Sequence, residues 1–419
     1  MKKIFKEFIL ARLFNRFSEL FIEYGIYIYF IIMFLNKGES IKNIALYGAF
    51  ALWLLSGKWR DRDFYKSPVT IVFGGYLFSV LLSVVFSIDP GYSLNSLRGD
   101  MLKAAVLFPV LATCFSTEQR LRRLSISLSI SASIMIAIGF YSYLTHNNLL
   151  LLKPHTELMH AWHNRFARYL CLTMPFAMAL LLTSKNKINM AGLFSLIIFG
   201  SLSVILSTSR GGMFALALIV AVWILFLYKK DVFNFRKIIL ISLAALVTVF
   251  FIGLYTSPAL KTRLSSIPTD MKTVNNRLDS WNKALESIKQ RPVLGWGYGR
   301  GIFHREEPYL KTTDKSLPKT GPENTFIQVL FHQGLAGLGV YISLILTAVV
   351  VFFRSALRTG SPLRSYVLVT ACGIIVGNHI GHALVAAEIF RGLAIILAIG
   401  IAAEKGANLI NKRANLHYS

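Results

Sequence analysis

Residues 191–230 read AGLFSLIIFGSLSVILSTSRGGMFALALIVAVWILFLYKK. Two apolar stretches, 191 to 208 and 213 to 228, are joined by the short turn Ser207-Thr208-Ser209-Arg210-Gly211-Gly212 and closed by Lys229 and Lys230. Each approaches the roughly 20 apolar residues that a helix needs to cross a bilayer core. A helix apolar all round is buried or in lipid. The pair reads as a membrane hairpin with its basic end among headgroups.

The same pattern recurs outward in both directions, near 20 to 36, 43 to 57, 68 to 87, 101 to 116, 124 to 144, 166 to 183, 238 to 255, 326 to 353, 366 to 386 and 388 to 403. Composition agrees: of 419 residues 54% are hydrophobic and only 16% charged, with mean hydropathy +0.55, whereas soluble chains carry about 25% charged residues. The expected fold is an all-α polytopic membrane protein with about 12 transmembrane helices and one long periplasmic loop containing helices. Its parts are a membrane bundle of about nine spans over 1–255, the loop over 256–323, three spans over 324–403 and a cytoplasmic tail over 404–419. The basic start (Lys2, Lys3, Lys6, Arg12, Arg16) leads into the first span with no small-residue cleavage site behind it, so no cleaved signal peptide is expected. Cys114, Cys171 and Cys372 all fall inside spans, where they are expected to pack rather than pair.

A net charge of +25 would suggest nucleic acid in a soluble chain, but here the basic residues punctuate the spans. Lys58 to Lys66, Arg120 to Arg123, Lys229 to Lys237 and Arg354 to Arg364 each follow an even-numbered span. With the N-terminus inside, about 24 Lys and Arg fall on cytoplasmic segments and about 9 on short opposite ones, as the positive-inside rule requires. Nucleic acid is therefore excluded as a partner; membrane lipids are not. The expected location is a bacterial inner membrane, multi-pass, with both termini cytoplasmic. The segment 256–323 is then periplasmic, although it holds about 12 basic residues, because loops of this length translocate largely regardless of charge.

Arg210 sits at or just inside the membrane face, where charge is costly and by default marks function. The glycines beside it allow close backbone approach, and the hydroxyls and amides can donate to a diphosphate; the alternative is a guanidinium snorkelling to headgroups. In the loop, Asn276 to Gln290 carries Leu278, Trp281, Leu285 and Ile288 as one apolar stripe. Pro292 and the glycine-rich Gly295-Trp296-Gly297-Tyr298-Gly299 follow, with Arg300 just beyond. Arg277 and Asp279 begin this helix; a cation there is opposed by the helix dipole, and a bound phosphate would give it a reason. Otherwise Arg277 floats at the loop surface.

The loop closes with Gly321-Pro322-Glu323-Asn324-Thr325, followed by an apolar helix holding Gln328 and His332. A carboxylate there is able to take a proton from a sugar hydroxyl; helix capping is the competing reading. Between the fifth and sixth spans, His155, Glu157, His160 and His163 invite a zinc reading, but no HExxH register is fixed and no second-shell acid is evident. Contact of His163, Asn164, Arg165 and Arg168 with a sugar or phosphate is preferred. Asn378, His379 and His382 either line the same cavity or bond neighbouring helices. No P-loop, GxSxG elbow, Rossmann fingerprint or DxD pair occurs, which argues against ATP-driven transport and cytosolic nucleotide-sugar chemistry.

Four places, His163 to Ala167 with Pro175, Ser207 to Gly212, Asn276 to Gly299, and Gly321 to Gly337, resemble the O-antigen ligase and polymerase superfamily of bacterial membrane glycosyltransferases, most closely the lipopolysaccharide O-antigen ligases. The resemblance implies a GT-C-like fold and transfer of glycan from an undecaprenyl diphosphate-linked donor to a hydroxyl of a lipid A-core acceptor on the periplasmic face, inverting and without metal or cofactor. It places the diphosphate-holding arginines at Arg210 and Arg277. Where the family usually has His before the Asn of its last motif, this chain has Glu323, which takes the place of the base; His332, two turns on, substitutes only if its helix is re-entrant. The expected catalytic residues are Arg210, Arg277 and Glu323. His163, Asn164, Arg165, Ser209, Arg300, Asn324 and His332 are expected on the substrate. A polymerase joining lipid-linked repeat units is the alternative, and a transporter of lipid-linked sugar a further one; the latter predicts an inverted repeat and paired interrupted spans, which the sequence does not display.

Overall fold

The computed structural model describes residues 2–35, 37–146, 163–207, 209–230, 271–304, 324–378 and 386–416, and among them every regular element is helical. In chain order these are α1 Lys2–Ile32, α2 Glu39–Leu55, α3 Arg62–Lys66, α4 Pro68–Val85, α5 Pro90–Cys114, α6 Glu118–His146 and α7 His163–Thr173. Then come α8 Pro175–Leu181, α9 Lys187–Leu206, α10 Arg210–Lys229, α11 Met271–Gln290, α12 Thr325–Arg358, α13 Pro362–Val376 and α14 Ala386–Leu416.

The helix starts follow from local chemistry. Asp89 and Ser361 each stand before a proline that opens α5 or α13, and their side chains accept the amide hydrogens of Tyr92 and Arg364. Asn186, Ser209 and Asn324 cap α9, α10 and α12 in the same way. Five helices among the described residues (α4, α9, α10, α12 and the Glu118–Ser142 part of α6) are long and apolar enough to cross a membrane. Their outward faces are apolar too: on α4, Ile71, Phe78 and Val85 are 60%, 61% and 67% exposed. Such surface needs lipid.

The structure differs from the expected spans in three places. The span at 166 to 183 is two helices, α7 and α8, because Pro175 has no amide hydrogen to continue α7. The span at 366 to 386 stops as α-helix at Val376 and passes into a π-turn at Gly377 and Asn378. The expected tail is helical as far as Leu416, as a continuation of α14. The span at 238 to 255 lies outside the described residues.

The helices share one large core, and the basic runs gather at one end of it. Arg120 donates to Glu19 and Glu23 (3.0 and 3.1 Å), Arg123 to Glu23 (2.7 Å) and Lys58 to Glu19 (3.0 Å). Ser361 donates to Glu118 (2.8 Å), Lys230 to Ser365 (2.8 Å), and Lys405 pairs with Asp61. The residues that follow even-numbered spans in the sequence therefore do meet at a common face. All three cysteines are buried and free.

Candidate active site

At the opposite end, the first turn of α10 is built by its own cap. Ser209 Oγ accepts the Gly212 amide hydrogen (3.1 Å) and donates to Asn164 Oδ1 of α7 (2.8 Å). A side chain at Gly212 would put its Cβ 2.5 Å from that of Ala167, so only glycine lets α7 lie this close to α10. Cys171 Sγ reaches the Gly212 carbonyl from the next turn of α7 (3.6 Å). Two segments separated by the whole of α8 and α9 thus form one unit. Arg210 is the first residue of α10, half-buried, and Arg168, one turn beyond Asn164 on α7, is 5% exposed. A guanidinium at a helix N-terminus is opposed by the dipole, whereas an anion there is favoured by both the dipole and the guanidinium. Replacing Ser209 with Ala is expected to lower stability by about 1 kcal/mol through loss of the cap and to lower activity with it, as read by thermal unfolding beside a transfer assay; Ser209→Thr keeps both bonds and is expected to restore most of each.

The second unit is a broken helix with a loop stitched into the break. Helix α12 is interrupted at Gly334, whose φ of 65° and ψ of −167° are open to glycine alone. The interruption frees backbone groups on both sides, and the segment after α11 satisfies them. Trp296 and Gly297 donate their amide hydrogens to the carbonyls of Phe331 and His332 (2.9 and 3.1 Å). Leu335 and Ala336 donate theirs to Pro292 and Val293 (2.7 and 3.3 Å). Four backbone bonds across the break thus replace helix bonds lost at it. Gly295, Gly297 and Gly299 all have positive φ, and a Cβ on Gly295 would lie 2.6 Å from the backbone at His332 and Gln333.

Side chains secure the same joint. Trp296 lies parallel to Phe331, donates its indole hydrogen to the Ser287 carbonyl (2.9 Å) and carries the Arg291 guanidinium over its ring (4.8 Å). Ile88, between α4 and α5, donates to the Trp296 carbonyl (3.2 Å). The buried His332 meets the Gly297 carbonyl through Nδ1 (2.8 Å), and since a carbonyl only accepts, that nitrogen carries the hydrogen. In the neutral ring Nε2 is then the lone-pair nitrogen. Thr325, Gln328 and His332 form one buried polar face on an otherwise apolar helix.

Residues 193–342 match the family model described as O-Antigen ligase. That stretch makes the chain similar to the O-antigen ligase superfamily. The matched stretch includes the Ser209 cap, Arg210, α11, the glycine-rich joint and the break in α12. The chain is also similar to a protein of Haemophilus influenzae (strain Rd) described as uncharacterized, 26% identical over 363 residues, which are 83% of this chain and 86% of the relative.

Of the expected site residues, the structure brings some together and gives others a structural role. Asn164 and Ser209 are joined directly, Arg210 begins the same turn, and Arg165 is half-buried beside Asn164. Asn324 is the cap of α12, its Oδ1 accepting from the amides of Phe326 and Ile327 (2.9 and 3.3 Å), so the capping role falls on Asn324. Glu323 lies outside the described residues, as do the side chains of His163, Arg277 and Arg300 and the whole of the 147–162 segment.

Two readings need correction. Helix α11 is already under way at Met271, so Arg277 stands in its second turn, and the argument from a cation at the helix start does not apply to it. The apolar stripe is also rotated. Ser280, Ala284, Ser287 and Ile288 are buried, while Leu278 and Leu285 are 44% and 41% exposed. The small residues are the ones that let α11 approach the bundle.

Proposed function

We propose that this chain transfers O-antigen polysaccharide from undecaprenyl diphosphate to a sugar hydroxyl of the lipid A-core oligosaccharide on the periplasmic face, with inversion and without a metal. The observation that carries the reading is the Asn164–Ser209 bond (2.8 Å) at the start of α10. It ties two family segments into a unit that presents Arg210 at the end of the bundle away from the basic cluster. A departing diphosphate gathers negative charge, and guanidinium groups from Arg210 and Arg277 in a low-dielectric cleft stabilise it by several kcal/mol, on the order of what oxyanion donors provide. The acceptor hydroxyl attacks the anomeric carbon from the opposite side as the carbon–diphosphate oxygen bond breaks, and Glu323 takes its proton.

The test is reconstitution. Purified protein, lipid-linked donor glycan and rough lipopolysaccharide, with EDTA and no ATP, are expected to yield smooth lipopolysaccharide. No product, or transbilayer movement of donor without bond formation, would overturn the reading. A deletion strain separates the polymerase alternative: loss of a ligase strands long glycan on undecaprenyl diphosphate over a bare core, whereas loss of a polymerase leaves core bearing one repeat. Glu323→Gln retains size and removes basicity, and is expected to slow transfer by about 10²-fold or more. Wild-type turnover in that variant would shift the base to His332, whose Nδ1 hydrogen is already committed to Gly297.

A further inference from the structure

A groove of about 740 Å³ opens at the basic end of the bundle, far along the helices from the unit just described. One wall is α6, with Arg122, Ile126, Ile130 and Ser133 spaced so that they share a face. The other is the first half of α9, with Asn189, Gly192, Leu193 and Leu196. The two helices touch near the C-terminal half of α9, where Gly200 admits Met174 and Ile136, and diverge toward its start.

The lining changes character from bottom to mouth. Deep in the groove the walls are aliphatic, and the serine hydroxyls are already bonded along their own helix: Ser129 donates to the Ser125 carbonyl (2.8 Å) and Ser133 to that of Ser129 (3.1 Å). These walls therefore offer a guest apolar contact. At the mouth stand Arg122 and Lys185 with the amides of Asn186 and Asn189, and among the described residues no carboxylate lines the groove. Arg122 is steadied there by donating to the Thr183 carbonyl (3.2 Å). Gly192 supplies a second observation. Glycine inside a helix is unfavourable by up to ~1 kcal/mol against alanine, yet a Cβ at this position would meet no atom within 4 Å. No close packing among the described residues requires a glycine here, and the space beside it belongs to the groove.

We propose that this groove holds one anionic diacyl phospholipid from the leaflet at the basic end, with its phosphate on Arg122 and Lys185 and the first part of its chains along Ile126, Ile130, Leu193 and Leu196. A basic pocket between membrane helices is suited to an anionic headgroup by charge, and the apolar floor distinguishes a lipid from free phosphate.

The test is native mass spectrometry of the full chain released from detergent with equimolar phosphatidylglycerol and phosphatidylcholine of matched chains. The wild type is expected to keep one phosphatidylglycerol in at least about tenfold preference, since each basic residue at a membrane surface adds attraction. Arg122→Ala with Lys185→Ala is expected to bring the preference near unity. Gly192→Trp, whose Cβ meets no neighbour, puts its indole into the groove and is expected to lose the retained lipid severalfold, while Gly192→Ala keeps it. Both lipids held equally by the wild type, retention unchanged in Gly192→Trp, displacement by millimolar inorganic phosphate alone, or a dimer that Gly192→Trp abolishes with no change in lipid would each overturn the assignment. The measurement does not depend on glycan transfer, so it stands or falls separately from the proposed function.

Discussion

Arg210→Ala is expected to lower the rate of glycan transfer by about 10² to 10³-fold, the loss that follows removal of one preorganised donor to a developing anion, with no measurable change in thermal unfolding. The reason is position. Arg210 occupies the first turn of α10, half-buried, above a cap that Ser209 builds through its own Oγ with Gly212 and Asn164. Alanine is a good residue for that position, so the helix is expected to form as before. If the guanidinium holds a leaving diphosphate, the interaction strengthens as the bond breaks, and the loss is expected in kcat with KM nearly unchanged. A guanidinium that only snorkels to headgroups predicts the reverse: normal turnover and a small fall in stability. Arg210→Lys keeps the charge and loses the planar fork, and is expected to retain an intermediate rate. Arg277→Ala is expected to match Arg210→Ala in size if both grip one diphosphate, and the double variant is expected to be little worse than either, since groups acting as a unit are not additive. Wild-type kcat in either single variant would remove that arginine from the mechanism.

How much of this was legible in the sequence depends on whether the deciding interaction is local. The helix starts at Pro68, Pro90, Arg210, Thr325 and Pro362 follow from the proline or capping residue beside them, and all are local signals. The gathering of Arg120, Arg123, Lys58 and Lys405 at one end follows from helix parity and charge, which a linear count captures. The bond between Asn164 and Ser209 does not, because it crosses two intervening helices. Nor does the break in α12. Gly334-Leu335-Ala336-Gly337 reads as an apolar helix that tolerates glycine, and only the arrival of residues 292 to 297 gives the opened backbone its partners. The stripe on α11 misled for another reason. Where a helix lies close against the bundle, close approach selects small residues such as Ser280, Ala284 and Ser287 for the contact line, and the larger Leu278 and Leu285 fall outside it.

The break also gives the largest expected structural effect. Gly334→Ala must place a Cβ against the Val293 carbonyl oxygen and 2.6 Å from the Leu294 nitrogen, and both neighbours are backbone with no side chain to swing aside. The φ and ψ at this position add about 1 to 3 kcal/mol of strain for any residue but glycine, and the overpacking a further 1 to 3 kcal/mol or so. The folded chain can escape in one way, by closing α12 into a regular helix and releasing the 292–297 segment. That would leave Trp296 without the Phe331 carbonyl and His332 without Gly297, so Arg277 and the α12 polar face would lose their fixed relation together. The expected result is a transfer rate at background and new protease cleavage between α11 and α12, in a protein that still extracts in detergent as a monodisperse species. Gly339→Ala, five residues further along the same helix and with nothing within 4 Å of its Cβ, is expected to be neutral or slightly stabilising, since alanine is favoured over glycine there by up to ~1 kcal/mol. Equal behaviour of the two variants would mean that α12 does not need its interruption, and that the glycine-rich segment contributes to catalysis by some route other than holding the break open.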